Sequence, residues 1–212
     1  KSNNIITLTR AMSACLEFHE SNYDLITLYG AAVAERYVAR NPLLRGRITI
    51  DSLRGASSHQ HNPVALLVDK NTDEKSGNAI GVSLIYSGNF AIEAEVDQNE
   101  QTRLNIGINP NNFRFLVHPN ETFYTPEVVM VFSDNGLGEI SRKMHRFVKD
   151  NIMQSEWKNK KRPILINSWE AAYFTFDDDQ LIEMAKDASK LGIEMFVLDD
   201  GWFGHRNNDN SS

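Results

Sequence analysis

The residues most able to do chemistry sit in "EMFVLDDGWFGHRNNDN", residues 194–210. An apolar run meets two adjacent carboxylates, Asp199 and Asp200, and Gly201 then lets the chain turn sharply. A second apolar run, "RPILINSW", ends on Trp169. Carboxylates accept strong hydrogen bonds from hydroxyl donors. A tryptophan face packs against apolar C–H surface and excludes water. Two carboxylates beside an indole therefore suit a polyhydroxylated ligand, a sugar above all. The same Asp-Asp pair reads alternatively as a turn or a helix cap.

Other groups offer different chemistry. His205 and Asp209, with Asp199 and Asp200, supply ligand types for a divalent cation, but their spacing matches no metal motif. In "LRGASSHQHNP", His59 and His61 alternate like strand residues and would face one side. No third ligand accompanies them, so a hydrogen-bonded loop is the plainer reading. His19, His118 and His145 are isolated and read as surface residues. Asn120-Glu121-Thr122 fits a glycosylation sequon and also a plain turn. Gly136-Leu137-Gly138 lacks a full phosphate-loop pattern, so no nucleotide is expected. No cofactor and no bound metal are expected.

The candidate residues need elements to hold them. From residue 163 onward the pattern is β-α-β. "RPILINSW" reads as a short apolar strand, and "FDDDQLIEMAKDASKLG" as a helix. Asp177 caps that helix, with Gln180 three residues on as in a capping box, and Gly192 closes it. Leu181, Ile182, Ala185, Ala188 and Leu191 form its expected buried face. "IEMFVLDD" is a second strand whose apolar residues run consecutively, as when both sheet faces are covered. Such a unit makes two parallel strands with a right-handed crossover. Sites in parallel α/β folds form at the carboxyl ends of the strands. Trp169 and the Asp199–Asp200 pair both fall there.

Residues 5–134 read as short strands with turn signals at Asn41-Pro42, Asn62-Pro63, Asn109-Pro110 and Pro119-Asn120, the pattern of a β-sandwich. Within them "AIGVSLIYSGNFAIEAEVDQ" looks like a hairpin turning at Ser87-Gly88-Asn89. The pattern changes at Asn135. Leu137, Ile140, Met144, Phe147, Val148 and Ile152 then fall at helical spacing, and "QSEWKNKKRP" follows as a polar linker. The expected division is residues 1–134, 135–162 and 163–212.

The 212 residues suffice for a real core, with 41% hydrophobic and 24% charged residues. The net charge of -6 argues against a general nucleic-acid binder. No apolar run reaches the roughly 18–20 residues of a membrane span. The one cysteine, Cys15, excludes an internal disulfide and fits a reducing compartment, the cytoplasm.

Six blocks, "RGASSHQHNP", "GVSLIYSGNF", "EVDQNEQTRLNIGINP", "TPEVVMVFSDNGLGEISRKMHRF", "RPILINSWEA" and "FVLDDGWFG", together resemble the bacterial α-galactosidases of glycoside hydrolase family thirty-six. The resemblance covers nearly the whole chain in order. It departs at "HNPVALL", where the family commonly has an aromatic after the proline. It departs again at "GHRNNDN", similar to the family's Arg-Asp-Asp stretch. The resemblance implies an α+β chain: an antiparallel β-sandwich (part of a supersandwich domain), a helical connection, then the first β-α-β of a (β/α)8 catalytic barrel. A piece of a longer protein is expected on that ground.

Family members release terminal α-linked galactose with retention, from sugars such as melibiose and raffinose. Retention needs two carboxyl groups roughly 5–5.5 Å apart. The resemblance implies that both are aspartates on later barrel strands, one in a Lys-x-Asp-x-Asn-Arg-like segment absent from residues 1–212. It assigns Asp199, Asp200 and Trp169 to galactose binding, with no catalytic residue in this chain. It implies α-galactoside partners and a homo-oligomer, and neither nucleic acid nor membrane. Two alternatives stand beside it. One is a related α-galactosyltransferase. The other is a carbohydrate-binding sandwich using Tyr86, Phe90 and Phe113 as an aromatic platform.

Overall fold

The computed structural model describes residues 3–57 and 60–211. The chain divides into two compact units, residues 1–150 and 151–212. In the first, short strands follow one another: β1 (Ile6–Leu8), β2 (Met12–Phe18), β3 (Tyr23–Ala31), β4 (Ala34–Pro42), β5 (Gly46–Asp51) and β6 (His61–Asp69). Then come β7 (Ala79–Ile85), β8 (Phe90–Val96), β9 (Thr102–Ile108), β10 (Phe115–Val117) and β11 (Glu127–Ser133). Helix α1 (Gly136–Phe147) follows.

Two antiparallel sheets face each other, in the orders β11-β7-β6-β3-β4 and β2-β9-β8-β5. β1 pairs separately with β10. Their inner faces interdigitate. Leu25, Leu67, Val82 and Leu84 come from the first sheet, and Ile50, Phe90, Ile92, Leu104 and Ile106 from the second. Burying such side chains from both sheets is what joins them into a sandwich. The strand-rich reading of residues 5–134 holds.

The expected hairpin across Ser87-Gly88-Asn89 does not form. β7 pairs with β6 and β11, while β8 pairs with β5 and β9. The segment crosses between sheets and is pinned by long-range bonds. Ser57 N donates to Ser87 O at 2.7 Å, and Gly55 N to Asn89 Oδ1 at 2.7 Å. Alternation records which side of a strand is buried but not which strand lies beside it. A true hairpin joins β3 and β4 instead, with Ala31 opposite Ala34 and Val33 at φ 62°. Its turn carries no Asn-Gly signal. Pro63 lies inside β6, next to an irregularity in the pairing with β3, where a missing N–H is tolerated. Pro119-Asn120 is a turn, with Glu121 N donating to His118 O at 3.0 Å.

Ile140 of α1 is buried with Ile26, Val68 and Ala79 of the first sheet, with Leu137 and Met144 packed beside it. The expected apolar face stops early. The backbone widens into a π-helical turn over Val148–Ile152, which rotates the stripe, and Val148 and Ile152 are exposed.

The second unit contains β12 (Leu165–Asn167), the single turn α2 (Trp169–Ala172), α3 (Asp178–Lys190) and β13 (Met195–Val197). β12 and β13 are parallel, Leu165 opposite Met195 and Asn167 opposite Val197. The capping box forms: Gln180 N donates to Asp177 Oδ1 at 2.9 Å, and Asp177 N to Gln180 Oε1 at 3.3 Å. Gly192 follows the helix with φ +84°. The expected buried face is only partly realised. Ala188 is buried, but Ile182 and Leu191 are 51% and 84% exposed. Within this unit a two-stranded sheet is narrower than the helix's apolar stripe. Ile164, Leu165 and Met195 are likewise exposed.

Among the described residues no helix is long and apolar enough to cross a membrane.

Candidate functional site

The carboxyl ends of β12 and β13 meet. Ser168 N donates to Val197 O at 3.0 Å, and Asp199 N donates to Ser168 Oγ at 3.1 Å. Ser168 is itself buried. Asn167 ties together the two kinds of expected site residue. Its Nδ2 donates to Asp199 Oδ2 at 2.5 Å, and its Oδ1 accepts from Trp169 N at 2.8 Å. One amide side chain thus fixes both the Asp199 carboxylate and the start of the turn that carries the indole. The Trp169 ring is held edge-on by Tyr173 and Phe174, with centroids 5.3 and 4.9 Å away.

Asp200 is held differently. Its backbone N donates to Asp199 Oδ1 at 2.7 Å. Its own Oδ1 accepts from Gly201 N at 2.8 Å and Arg206 Nε at 2.9 Å. Its Oδ2 accepts from Arg206 Nη2 at 2.7 Å. Hydrogen bonds from Arg206 hold the Asp200 carboxyl below its ordinary 3.8, outweighing the opposing effect of desolvation. Arg206 also stands 5.4 Å from the Phe174 ring centroid. Gly201 has φ +93°, and a Cβ there would lie 3.0 Å from Phe174 Cδ1. The positive φ and the close approach to the ring both favour glycine at this turn.

The expected residues Asp199, Asp200 and Trp169 therefore share one strand-end cluster. Of the residues weighed for a cation, Asp200 is paired with a guanidinium, and among the described residues no group of three or more His, Cys, Asp or Glu side chains is placed to hold a metal ion. His205 is exposed and Asp209 lies 3.9 Å from Arg206. His59 lies outside the described residues; His61 begins β6 opposite Tyr29. The aromatic platform does not exist as read either. Phe90 is fully buried in the core, and Phe113 packs on Phe123 at 6.1 Å. Sequence reasoning missed Asn167, Ser168 and Arg206. Asn167 and Ser168 were signalled by their place at a strand end, and Arg206 by the stretch similar to the family's Arg-Asp-Asp run.

The model for the glycosyl hydrolase family 36 N-terminal domain matches residues 1–117, more than half of the chain, and that for melibiase matches residues 122–212. The chain belongs to glycosyl hydrolase family 36. Its family 36 relatives include α-galactosidase AgaA of Geobacillus stearothermophilus, 46% identical over the whole chain and 29% of the relative. Another is Mel36A of Lactobacillus acidophilus, 47% identical over 98% of the chain and 28% of the relative. The bifunctional α-galactosidase/sucrose kinase AgaSK of Mediterraneibacter gnavus is 46% identical over 98% of the chain and 22% of its own length. The chain thus spans well under a third of these relatives. The crystal structure of AgaB from Geobacillus stearothermophilus superposes with a TM-score of 0.95 at 47% identity, covering all of this chain and 29% of that one. A substituted AgaA in complex with raffinose superposes with a TM-score of 0.95 at 46% identity, covering 100% and 30%. The two antiparallel sheets match the N-terminal sandwich of these proteins.

Proposed function

We propose that this chain supplies the N-terminal sandwich and the galactose-holding strand ends of a retaining α-galactosidase acting on raffinose- and melibiose-type sugars. The observation that carries the reading is the Asp199–Asn167–Trp169 cluster at the carboxyl ends of two parallel strands. Carboxylates accept from vicinal hydroxyls, and the indole covers the apolar face of the ring. On this reading β12, α3 and β13 are the first β-α-β of a (β/α)8 barrel, whose sites lie at that end. The solved relative holding raffinose supports the substrate class.

The roles are binding roles. Asp199 and Asp200 hold hydroxyls and do neither nucleophilic nor proton-transfer work, which the resemblance gives to aspartates on later strands. Residues 1–212 alone should not turn over an aryl α-galactoside. Clear hydrolysis by the pure chain, abolished in Asp199→Asn, would overturn that assignment. In the complete enzyme Asp199→Asn should lower kcat/KM by about one to three powers of ten, without azide rescue. A trapped glycosyl bond on either aspartate refutes the reading. A cytoplasmic location fits the single cysteine, and a homo-oligomer fits the open edge of β4, where Tyr37 and Val38 are exposed. Light scattering on the complete protein tests the latter.

A further inference from the structure

Asp199 and Asp200 are adjacent in sequence but are not equivalent acceptors. A carboxylate offers about four lone-pair sites. Asp199 receives one hydrogen bond on each oxygen, from Asp200 N and from Asn167 Nδ2. Each oxygen keeps one site free for a ligand. Asp200 Oδ1 already accepts from Gly201 N and Arg206 Nε, and Oδ2 accepts from Arg206 Nη2 with a longer contact to Nε at 3.1 Å. Only one site remains.

Arg206 is committed as fully as Asp200. Its Nη1 donates to Asn208 O at 2.9 Å and Ser211 O at 2.6 Å. Its side chain is 19% exposed, against 32% for Arg40 in its pair with Asp24. One planar fork therefore joins the Asp200 carboxylate to the carbonyls of the loop that follows it. A lysine, a point charge without the fork, cannot make the bidentate contact and the two carbonyl contacts together.

We infer that Arg206 is a positioning residue for sugar binding: it aims Asp200 at a single hydroxyl, orders residues 201–211, and leaves Asp199 as the principal acceptor. This rests on the proposed galactose site. By the count of free acceptor sites, Asp199 carries the larger share of hydroxyl recognition and Asp200 the smaller, more rigid one. Pairing also cancels one of the two adjacent negative charges, so the site favours a neutral polyol over a cation.

The experiment is NMR on the 212-residue chain as wild type, Arg206→Lys and Arg206→Gln. Side-chain carboxyl titrations and amide shifts are followed with and without galactose. In the wild type Asp200 should titrate below 3.8, and galactose should shift residues 167–169 and 199–201. In Arg206→Gln the Asp200 midpoint should rise, the amides of 201–211 should lose dispersion, and galactose affinity should fall about tenfold. Arg206→Lys should hold part of the Asp200 shift but restore neither loop order nor affinity, separating the fork from the charge. Amides of α3 and β13 report whether each variant still folds. An Asp200 midpoint and loop amides unchanged in Arg206→Gln overturn the inference, whether or not galactose binds. So does full rescue by Arg206→Lys. Absence of any galactose shift in the wild type, with the Asp200 titration behaving as expected, removes the sugar from the site and leaves the arginine clamp standing.

Discussion

Residues 1–150 and residues 151–212 solve the problem of staying folded by different means. The sandwich buries Leu25, Leu67, Val82, Phe90, Leu104 and Ile106 to 1% exposure or less. In the second unit, among the described residues, only Ser168 and Ala188 are buried. There the order comes from local polar fasteners: the capping box at Asp177, the Asn167 bridge between strand ends, and the Arg206 fork. The difference teaches that the candidate site is built where hydrogen bonds, rather than packed hydrocarbon, fix side-chain direction. Burial is cooperative and robust; polar fasteners are precise in direction and individually weak.

Removing a core ring tests the comparison most severely. Phe90→Ala should destabilise the sandwich by about 3–5 kcal/mol through lost burial and a cavity. Phe196→Ala, at a half-buried strand position, should cost the second unit about 1 kcal/mol. All three tryptophans, Trp157, Trp169 and Trp202, lie in residues 151–212. Indole fluorescence therefore reports that unit, and far-UV circular dichroism is dominated by the sandwich. In urea the fluorescence transition should come first, and Phe90→Ala should bring the two together. Coincident transitions in the wild type would break the contrast.

A smaller effect sharpens it. Asp177→Ala removes the acceptor for Gln180 N and should cost the second unit about 1 kcal/mol. That loss should appear in the fluorescence transition alone.

Acid probes both units through paired carboxylates. Arg206 lowers the Asp200 carboxyl. In the sandwich, burial pushes the Asp24 carboxyl up, but hydrogen bonds from Lys70 and Arg40 at 2.7 Å outweigh it, and the net shift is down. A carboxyl lowered on folding stabilises fully above its unfolded value, near 3.8, and that contribution is lost as pH falls through the lowered value. Both units should therefore weaken below about pH 4. Asp24→Asn should flatten the circular-dichroism profile there, and Asp200→Asn the fluorescence profile. The smallest effect is expected at Lys186, whose pair with Glu183 at 3.2 Å is 61% and 67% exposed. Lys186→Ala should change stability by less than about 0.5 kcal/mol and respond weakly to salt.

What the sequence determined by itself is whatever local chemistry and family pattern can carry. The apolar runs, the Asp177–Gln180 spacing and Gly192 specify β-α-β, because caps and periodicity act within a few residues. The six motif blocks place the chain in its family. The placing of Asp199, Asp200 and Trp169 at neighbouring strand ends was legible from the β-α-β pattern. Tertiary structure alone decided the rest. β7 and β8 part into different sheets because alternation is identical whether a strand pairs with its neighbour or crosses to the opposite layer. Ile182 and Leu191 stay exposed because a helical stripe does not state the width of the surface it meets. Asp200 is bound to a guanidinium while Asp199 is bound to an amide, because a carboxylate's partner is chosen by distance and direction in space, and spacing along the chain does not encode either.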